Sequence, residues 1–445
     1  MDYSINNIGT VRGSSIRSLI LSWFCAAAAF RYAYVYYMAI IPVLTPLFEL
    51  IYMTITLFLL LLFFPMAVKA IGLIRQSKYT VLRPALIIPL CVIVNIIYVM
   101  LDSGNFSIVL RDYFMDAASN TNDDKGYYFS QLNTWLGNMA IVLFLAIKIK
   151  SKQDIIRCII SSMLVLLIPI IIIIVSNPSS LGTRESSLDN SDINFGGGLW
   201  NIGVVGFGSI SWLAMALYNQ AKKSQRGIIL LSVTVFLFVG IAGLSRTLIL
   251  MVVFSISIYI LLSKKNFKLI GRIILIVSTI FLFLVLEGNI VNSIIERFND
   301  STSGTQNIRF LLWASYLSFM NDYWLIGAPE GSVYNYYFNV DRFGVNFLPH
   351  SAVINFFVRY GIFAVLAYFV LIKNSFLSIK KTICNKQNRI CVICGGVTYV
   401  SLAFINQTGF SESVFYIMFG LNIAYSRILN NESDGQKYIT CNKIR

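Results

Sequence analysis

The stretch from Ile155 to Val175, IIRCIISSMLVLLIPIIIIIV, decides the fold class of this chain. It contains one charged residue, Arg157, and it is as long as the run of about 20 mostly apolar residues that a helix needs to cross a bilayer. The rest of the chain has the same character, since 57% of its 445 residues are hydrophobic and 12% are charged. Soluble proteins carry about 25% charged residues. The composition therefore excludes a soluble protein.

About twelve such segments follow one another, so we predict an all-α polytopic membrane protein with about twelve transmembrane helices in a single integral membrane domain, residues 1–445. The predicted spans are Ser18 to Ile40, Leu47 to Val68, Pro84 to Leu101, Gln131 to Ile149, Ile155 to Val175, Leu199 to Tyr218, Gly227 to Ala242, Thr247 to Leu262, Leu269 to Leu286, Ser351 to Ile372, Ile390 to Gln407 and Ser411 to Leu429. Pro42 and Pro46 are expected to form the turn between the first two spans.

The distribution of Lys and Arg predicts the orientation of these spans, because cytoplasmic loops of membrane proteins are enriched in both residues. With both termini in the cytoplasm, 26 of the 35 basic residues fall in cytoplasmic segments. The net charge of +15 then follows from topology, and no basic run is dense enough to predict a nucleic-acid partner. The nine basic residues left on the outer side are Arg31, Arg111, Lys125, Arg184, Arg246, Arg297, Arg309, Arg342 and Arg359.

Two features limit the chemistry that the chain can carry. The seven cysteines lie in predicted spans, cytoplasmic loops or the tail, which predicts no disulfide framework. A lone histidine with scattered carboxylates lacks the clustered ligands that zinc needs, so we predict no metal site and no cofactor. Arg31 and Glu49 lie in or near apolar surroundings, where an ionisable residue is a functional candidate and a mutual ion pair is the alternative interpretation.

The longest segment without an obvious span, residues 288–350, is predicted to form a large external loop between spans 9 and 10. It ends in the only histidine, His350, directly after Pro349, where a new helix should begin. A single histidine is either a hydrogen-bonded structural residue or a general base that needs a partner and a substrate.

A helix is also predicted within this loop. Arg309, Trp313, Tyr316 and Met320 recur at helical spacing on one face, which is typical of a helix lying at the membrane interface. That helix would hold Arg309 at the depth of the lipid head groups.

Two further arginines are candidates because guanidinium groups suit bidentate recognition of phosphate. Arg246 lies between two apolar spans, where it meets either an anion or the head-group region. Arg184 lies in a polar external loop ahead of the run Gly196 to Gly198, and a solvated pair with Glu185 is the alternative.

In these residues the chain resembles the O-antigen polymerase and O-antigen ligase superfamily of membrane glycosyltransferases. Three patches carry the resemblance: Ser245-Arg246-Thr247 after a glycine hairpin; Arg309 and Trp313 followed by Gly327; and His350 with Gly361 opening the next span. Two positions depart from the family pattern. Ser351 stands where the family often has Asn, and Gly327-Ala328-Pro329-Glu330-Gly331 stands where it favours a Gly-x-Gly turn.

The resemblance implies a GT-C type enzyme that uses neither a metal nor a nucleotide sugar. It implies that Arg246 and Arg309 hold the diphosphate of the donor and that His350 assists the acceptor hydroxyl. Arg184, Trp313, Tyr316 and Gly327 are the expected substrate-binding residues. The expected partners are an undecaprenyl-diphosphate-linked glycan and membrane lipid, with a chain-length regulator protein as a further candidate.

The implied activity is that of an O-antigen polymerase in lipopolysaccharide biosynthesis at the periplasmic face of the bacterial inner membrane. We prefer a polymerase because external loops around Arg184 and Arg309 are similar to the layout described for polymerases. An O-antigen ligase, which transfers the polysaccharide to lipid A-core, is the alternative. A lipid-linked oligosaccharide flippase is the alternative from another class; internal repeats are typical of transporters, and the sequence shows no convincing repeat.

Overall fold

The structure is a computed structural model that describes residues 5–76, 79–102, 127–176, 199–242, 245–262, 313, 316–318, 320–328, 351–378, 386–405 and 412–442. These residues form helices and turns and include no strand. The helices are α1 Ile5–Ile40, α2 Thr45–Arg75, α3 Arg83–Asp102, α4 Tyr127–Lys148, α5 Lys152–Ser176, α6 Leu199–Gly208, α7 Ser211–Leu217, α8 Lys223–Ala242, α9 Arg246–Leu262, α10 Ala352–Leu377, α11 Lys386–Ile405 and α12 Ser413–Asn442.

Every predicted span except the ninth coincides with one of these helices or with the pair α6 and α7. The ninth, Leu269 to Leu286, lies outside the described residues. Among the described helical segments, six are long and apolar enough to cross a membrane, and a seventh is added if α6 and α7 form one span. They are Ile16–Ile40, Pro42–Arg75, Thr80–Tyr98, Lys152–Val175, Lys223–Ile241 and Ala352–Leu377. The all-α polytopic membrane fold is confirmed, whereas the number of twelve spans stays a prediction.

The first hairpin forms at the two prolines, as predicted. α1 ends at Ile40, a short 3-10 turn covers Pro42–Leu44, and Pro46 lies in the first turn of α2. Proline is favourable there because the first turn of a helix has no carbonyl partner for its N–H groups.

Helix α12 lies at the centre of the bundle. Every residue from Ser413 to Ser426 is buried, and the helix contacts α1, α4, α5, α6 and α10. A helix that is apolar on all sides belongs in an interior of this kind. α2 lies at the periphery, and most of its exposed side chains are apolar, including Leu50, Met53, Leu57, Leu61 and Phe64, as expected for a helix surface in contact with lipid.

The sixth predicted span is bent by 42° between α6 and α7. Two buried serines bind backbone carbonyls at the bend. The Ser211 hydroxyl donates to the Gly206 carbonyl at 2.8 Å, and the Ser209 hydroxyl donates at 2.6 Å to the Val205 carbonyl, which also accepts from the Ser209 N–H. Freed backbone groups need such partners because no water reaches them within a bilayer. The bend was not anticipated from the sequence.

Residues that the sequence assigns to the cytoplasm meet at one end of the bundle, which we call the basic end. Arg17 of α1 contacts Asp154 of α5 at 3.3 Å, and Lys152 contacts Glu432 of α12 at 2.7 Å. The Arg427 guanidinium donates to the carbonyls of Ala146, Ile147 and Ile149 at the C-terminal end of α4. Charges at this end are therefore matched by carboxylates or by the negative end of a helix. Its cytoplasmic location stays a prediction.

Candidate functional site

The helix that follows His350 begins where the sequence predicts. Ser351 is the N-cap of α10, and its hydroxyl accepts a hydrogen bond from the Ile354 N–H at 3.4 Å. Ser and Asn are both preferred at N-caps because their short side chains place an oxygen on the free N–H groups of the first turn. Ser351 therefore preserves the cap at the position where the resembled family often has Asn. His350 itself lies outside the described residues.

Two glycines cross at the middle of the site, and we call this contact the glycine crossing. Gly327 has φ of 93° and Gly361 has φ of 76°, a region that side chains on L-residues disfavour. A Cβ on Gly327 would lie 2.3 Å from the Arg359 carbonyl oxygen, and a Cβ on Gly361 would lie 2.3 Å from the Leu325 carbonyl oxygen. Only glycine fits at either position.

The crossing replaces one helical hydrogen bond by two bonds between segments. Gly361 interrupts α10, so the Ile362 N–H does not bond the Val358 carbonyl as it would in a continuous helix. The Ile362 N–H donates instead to the Trp324 carbonyl at 2.9 Å, and the Val358 carbonyl accepts from the Ala328 N–H at 2.8 Å. The turn 323–328 is thus joined to α10 by backbone bonds. Gly361 opens the second helical part of α10, not the helix as a whole.

Asn95 of α3 holds the turn from its other side. Its buried side-chain amide donates to the Ile326 carbonyl at 3.2 Å and to the Ala328 carbonyl at 3.4 Å. Because α3 also packs on α10, these bonds fix the turn between two membrane helices.

Arg359 lies two residues before the break in α10 and is 5% exposed. Its side chain interacts with the Tyr360 hydroxyl. Trp135 of α4 donates to that hydroxyl at 3.0 Å and packs against Phe356 and, edge-on, against Tyr416 of α12. A buried arginine therefore lies beside an aromatic cluster that joins α4, α10 and α12.

Glu412 lies immediately before α12, and its carbonyl accepts from the Phe415 N–H at 3.1 Å. Its carboxylate interacts electrostatically with Tyr32 and Tyr36 of α1, Tyr368 of α10 and Tyr416 of α12. An acidic side chain is thereby placed where three helices meet.

The predicted site residues fall into three groups. Three of them, Arg184, Arg309 and His350, lie outside the described residues. Arg246 is the first residue of α9, directly after Ser245, which is buried and whose hydroxyl accepts from the Leu248 N–H at 3.2 Å. The remaining three, Trp313, Tyr316 and Gly327, are described in full.

One helical turn of the predicted interfacial helix, residues 316–318 and 320, falls among the described residues. The Met320 N–H donates to the Tyr316 carbonyl at 3.2 Å, as in an α-helix. Tyr316 and Met320 are 2% and 1% exposed, whereas Leu317 and Ser318 are exposed. One face of this turn is therefore buried against the bundle. The substrate-binding roles of Trp313 and Tyr316 stay predictions.

The structure brings together the second and third patches of the sequence, since the Gly327 turn is bonded to the helix that starts after His350. The first patch, Ser245-Arg246-Thr247, is held at the end of α8, because the Ser245 N–H donates to the Gly240 carbonyl of that helix at 3.1 Å. Sequence reasoning missed Asn95, Arg359 and Glu412 as members of this region. The signal for Arg359 was present, because an arginine within an apolar helix is a functional candidate.

Among the described residues, no group of three or more His, Cys, Asp or Glu side chains lies close enough together to bind a metal ion. The described cysteines, Cys25, Cys91, Cys158, Cys391 and Cys394, form no disulfide with one another. The absence of a metal or cofactor from the reaction stays a prediction.

Part of the chain is similar to a known protein family. A search of the curated proteins finds no similar sequence. Residues 228–369 match the family model described as O-antigen ligase. This range contains the Ser245–Thr247 patch, both glycines of the crossing and His350. Over these residues, which are less than half of the chain, the sequence is similar to the O-antigen ligase family, in agreement with the resemblance stated from the sequence.

Proposed function

We propose that this protein is an O-antigen polymerase of the bacterial inner membrane, with both termini in the cytoplasm and its site at the periplasmic face. It would transfer undecaprenyl-diphosphate-linked oligosaccharide repeat units onto one another. The superfamily relationship supports a glycosyltransferase-like enzyme of lipopolysaccharide biosynthesis that acts on lipid-linked glycans.

The glycine crossing is the observation that carries this proposal. The stretch that contains Arg309 in sequence ends in the turn 323–328, and that turn is bonded through its backbone to α10. α10 begins one residue after Ser351, the residue that follows His350. The turn 323–328, which follows Arg309 in sequence, is thus joined to the helix that follows His350 in sequence, and this supports the proposal that the two residues serve one site, where a donor and an acceptor must be positioned together.

The proposed reaction is a direct displacement. An acceptor sugar hydroxyl attacks the anomeric carbon of the donor, and the bond from that carbon to the diphosphate oxygen breaks. His350 takes the hydroxyl proton, and the lipid diphosphate leaves with a negative charge. Guanidinium groups of Arg246 and Arg309 stabilise that charge, with no metal or nucleotide sugar.

An O-antigen ligase is the second candidate, because the matching family model is described by that activity. It would use the same donor and the same residues and would transfer the polysaccharide to lipid A-core. The two candidates differ only in the acceptor.

A strain that lacks the gene separates the two functions. Loss of a polymerase should leave lipopolysaccharide that carries single repeat units. Loss of a ligase should leave core without any O-antigen, with long polymer retained on the lipid diphosphate. Lipopolysaccharide gels and analysis of the lipid-linked pool measure both. Normal O-antigen in the deletion strain would contradict both candidates.

A further inference from the structure

A second buried arginine, Arg31 of α1, lies away from the glycine crossing. It is 7% exposed and belongs to the apolar segment Ile16–Ile40. Its Nη1 donates to the Asn138 side-chain oxygen at 3.3 Å, and its Nη2 donates to the Thr134 hydroxyl at 3.4 Å. The Tyr52 hydroxyl of α2 is its third polar neighbour.

These partners are neutral, so the part of the chain that the structure describes supplies no carboxylate as a counter-charge for Arg31. The ion pair with Glu49, the alternative interpretation from the sequence, is not observed; the Glu49 carboxylate interacts with Tyr34 instead. The ion pairs found among the described residues are Arg17 with Asp154 and Lys152 with Glu432. A buried guanidinium is costly without an anion, and its five N–H donors exceed the three oxygens that the described residues offer it.

The surroundings of Arg31 are shaped to admit its guanidinium. Gly137 of α4 lies against it, and a Cβ at that position would be 2.8 Å from Nη1. Gly137 lies between Thr134 and Asn138 on α4, so one helix supplies both the hydrogen-bond acceptors and the space. Removal of that space would displace the cation.

The neighbouring surface of α2 identifies the kind of anion that can reach this place. Tyr34 and Tyr52 stack with ring centroids 4.1 Å apart between α1 and α2, and both rings are partly exposed. Near Tyr52 in sequence, α2 also exposes apolar side chains, among them Leu50, Met53 and Leu57. A hydrated free ion is excluded from such a surface, whereas a lipid can lie along it with its tail in the hydrocarbon.

We propose that Arg31, with Thr134, Asn138 and Tyr52, binds the phosphate group of a membrane lipid whose tail lies along α2. Phosphate oxygens match the planar fork of a guanidinium group and supply the missing counter-charge. This site depends on the environment of Arg31 alone, so it would stand even if the proposed polymerase activity failed.

Binding to the purified, delipidated full-length protein tests the proposal. The probes are undecaprenyl phosphate, phosphatidylglycerol and inorganic phosphate, and binding is followed as an increase in Tm and by native mass spectrometry. We expect undecaprenyl phosphate to bind the wild-type protein and its affinity to fall at least about tenfold in Arg31→Met. Arg17→Met, which removes an arginine from the same helix, should bind as the wild type does.

Two further variants keep the test decisive. Arg31→Lys preserves the charge but loses the planar fork, so it should fold and bind several-fold more weakly even if Arg31→Met does not fold. Gly137→Ala should weaken lipid binding by displacing the guanidinium.

An increase in Tm with phosphatidylglycerol as well as with undecaprenyl phosphate would identify phosphate as the recognised group. Undiminished binding by Arg31→Met and Arg31→Lys, or a shift with inorganic phosphate alone, would overturn the lipid site.

Discussion

The basic end and the glycine crossing both join distant segments, but they do so with different atoms. At the basic end, side chains make the contacts: Arg17 reaches Asp154, and Lys152 reaches Glu432. At the glycine crossing, backbone atoms of the turn 323–328 bond backbone atoms of α10 directly. Exposed side-chain pairs contribute little and can rearrange, whereas a backbone crossing has no alternative geometry.

The difference indicates where the molecule needs rigidity. Helices at the basic end only have to remain adjacent, so flexible charged side chains suffice. The segments that meet at the crossing adjoin in sequence the stretches that contain Arg309 and His350, and the catalytic roles that we propose for these residues would tolerate little displacement. We therefore expect substitutions at the glycine crossing to lower the free energy of unfolding several-fold more than substitutions at the basic end.

The largest effect is expected from Gly361→Ala and Gly327→Ala. Each places a Cβ 2.3 Å from a backbone carbonyl oxygen and forces an alanine to a positive φ. We expect a loss of on the order of 3 kcal/mol or more in the free energy of unfolding, measured in detergent or lipid discs.

Gly72→Ala is the matched control for these substitutions. Gly72 lies in α2 with no atom within 4 Å of its added Cβ. Alanine is favoured over glycine in a helix by about 0.5–1 kcal/mol, so this variant should be as stable as the wild type or more so. Equal destabilisation of all three variants would contradict the account of the crossing.

An intermediate effect is expected from Asn95→Ala. The change removes the donor from two carbonyls of the turn 323–328, which should cost about 1–3 kcal/mol. Asn374→Ala removes a single bond, to the Val81 carbonyl at 3.0 Å, and should cost less. Thermal unfolding of both variants measures the difference. A larger loss of stability in Asn374→Ala than in Asn95→Ala would show that Asn95 does not support the turn.

The smallest effect is expected from Arg17→Ala at the basic end. The Arg17 side chain is 36% exposed. Its partner Asp154 is 4% exposed, but that carboxylate keeps its hydrogen bonds from the Lys150 and Ser151 N–H groups, so we expect a loss of about 0.2–1 kcal/mol. The loss should shrink further at high salt, because exposed charges are screened. A loss as large as that of Gly361→Ala would remove the distinction between the two regions.

Local sequence signals predicted the helices well. Apolar runs located every described span, prolines located the hairpin after α1, and the Pro-His-Ser run located the start of α10. Each of these signals acts within one or two helical turns, where chemistry and geometry are coupled directly.

Contacts between distant segments were not predictable in the same way. Nothing in the local pattern around Asn95 pairs it with carbonyls more than 230 residues away. The break at Gly361 and the bend between α6 and α7 also depend on partners supplied by packing. Arg31 shows the same limit, since Asn138 and Thr134 of α4 are its partners and the nearer residue Glu49 is not.

The central claim is that the site beside the glycine crossing extends glycan chains, with His350 as the base. The decisive measurement is the O-antigen chain-length distribution of cells that carry His350→Ala, together with the amount of that protein in the membrane. The account predicts normal abundance, loss of chain extension by a factor of about 10² to 10⁴ in rate, and accumulation of lipid-linked single repeat units. Normal chain lengths from a well-expressed His350→Ala protein would contradict it.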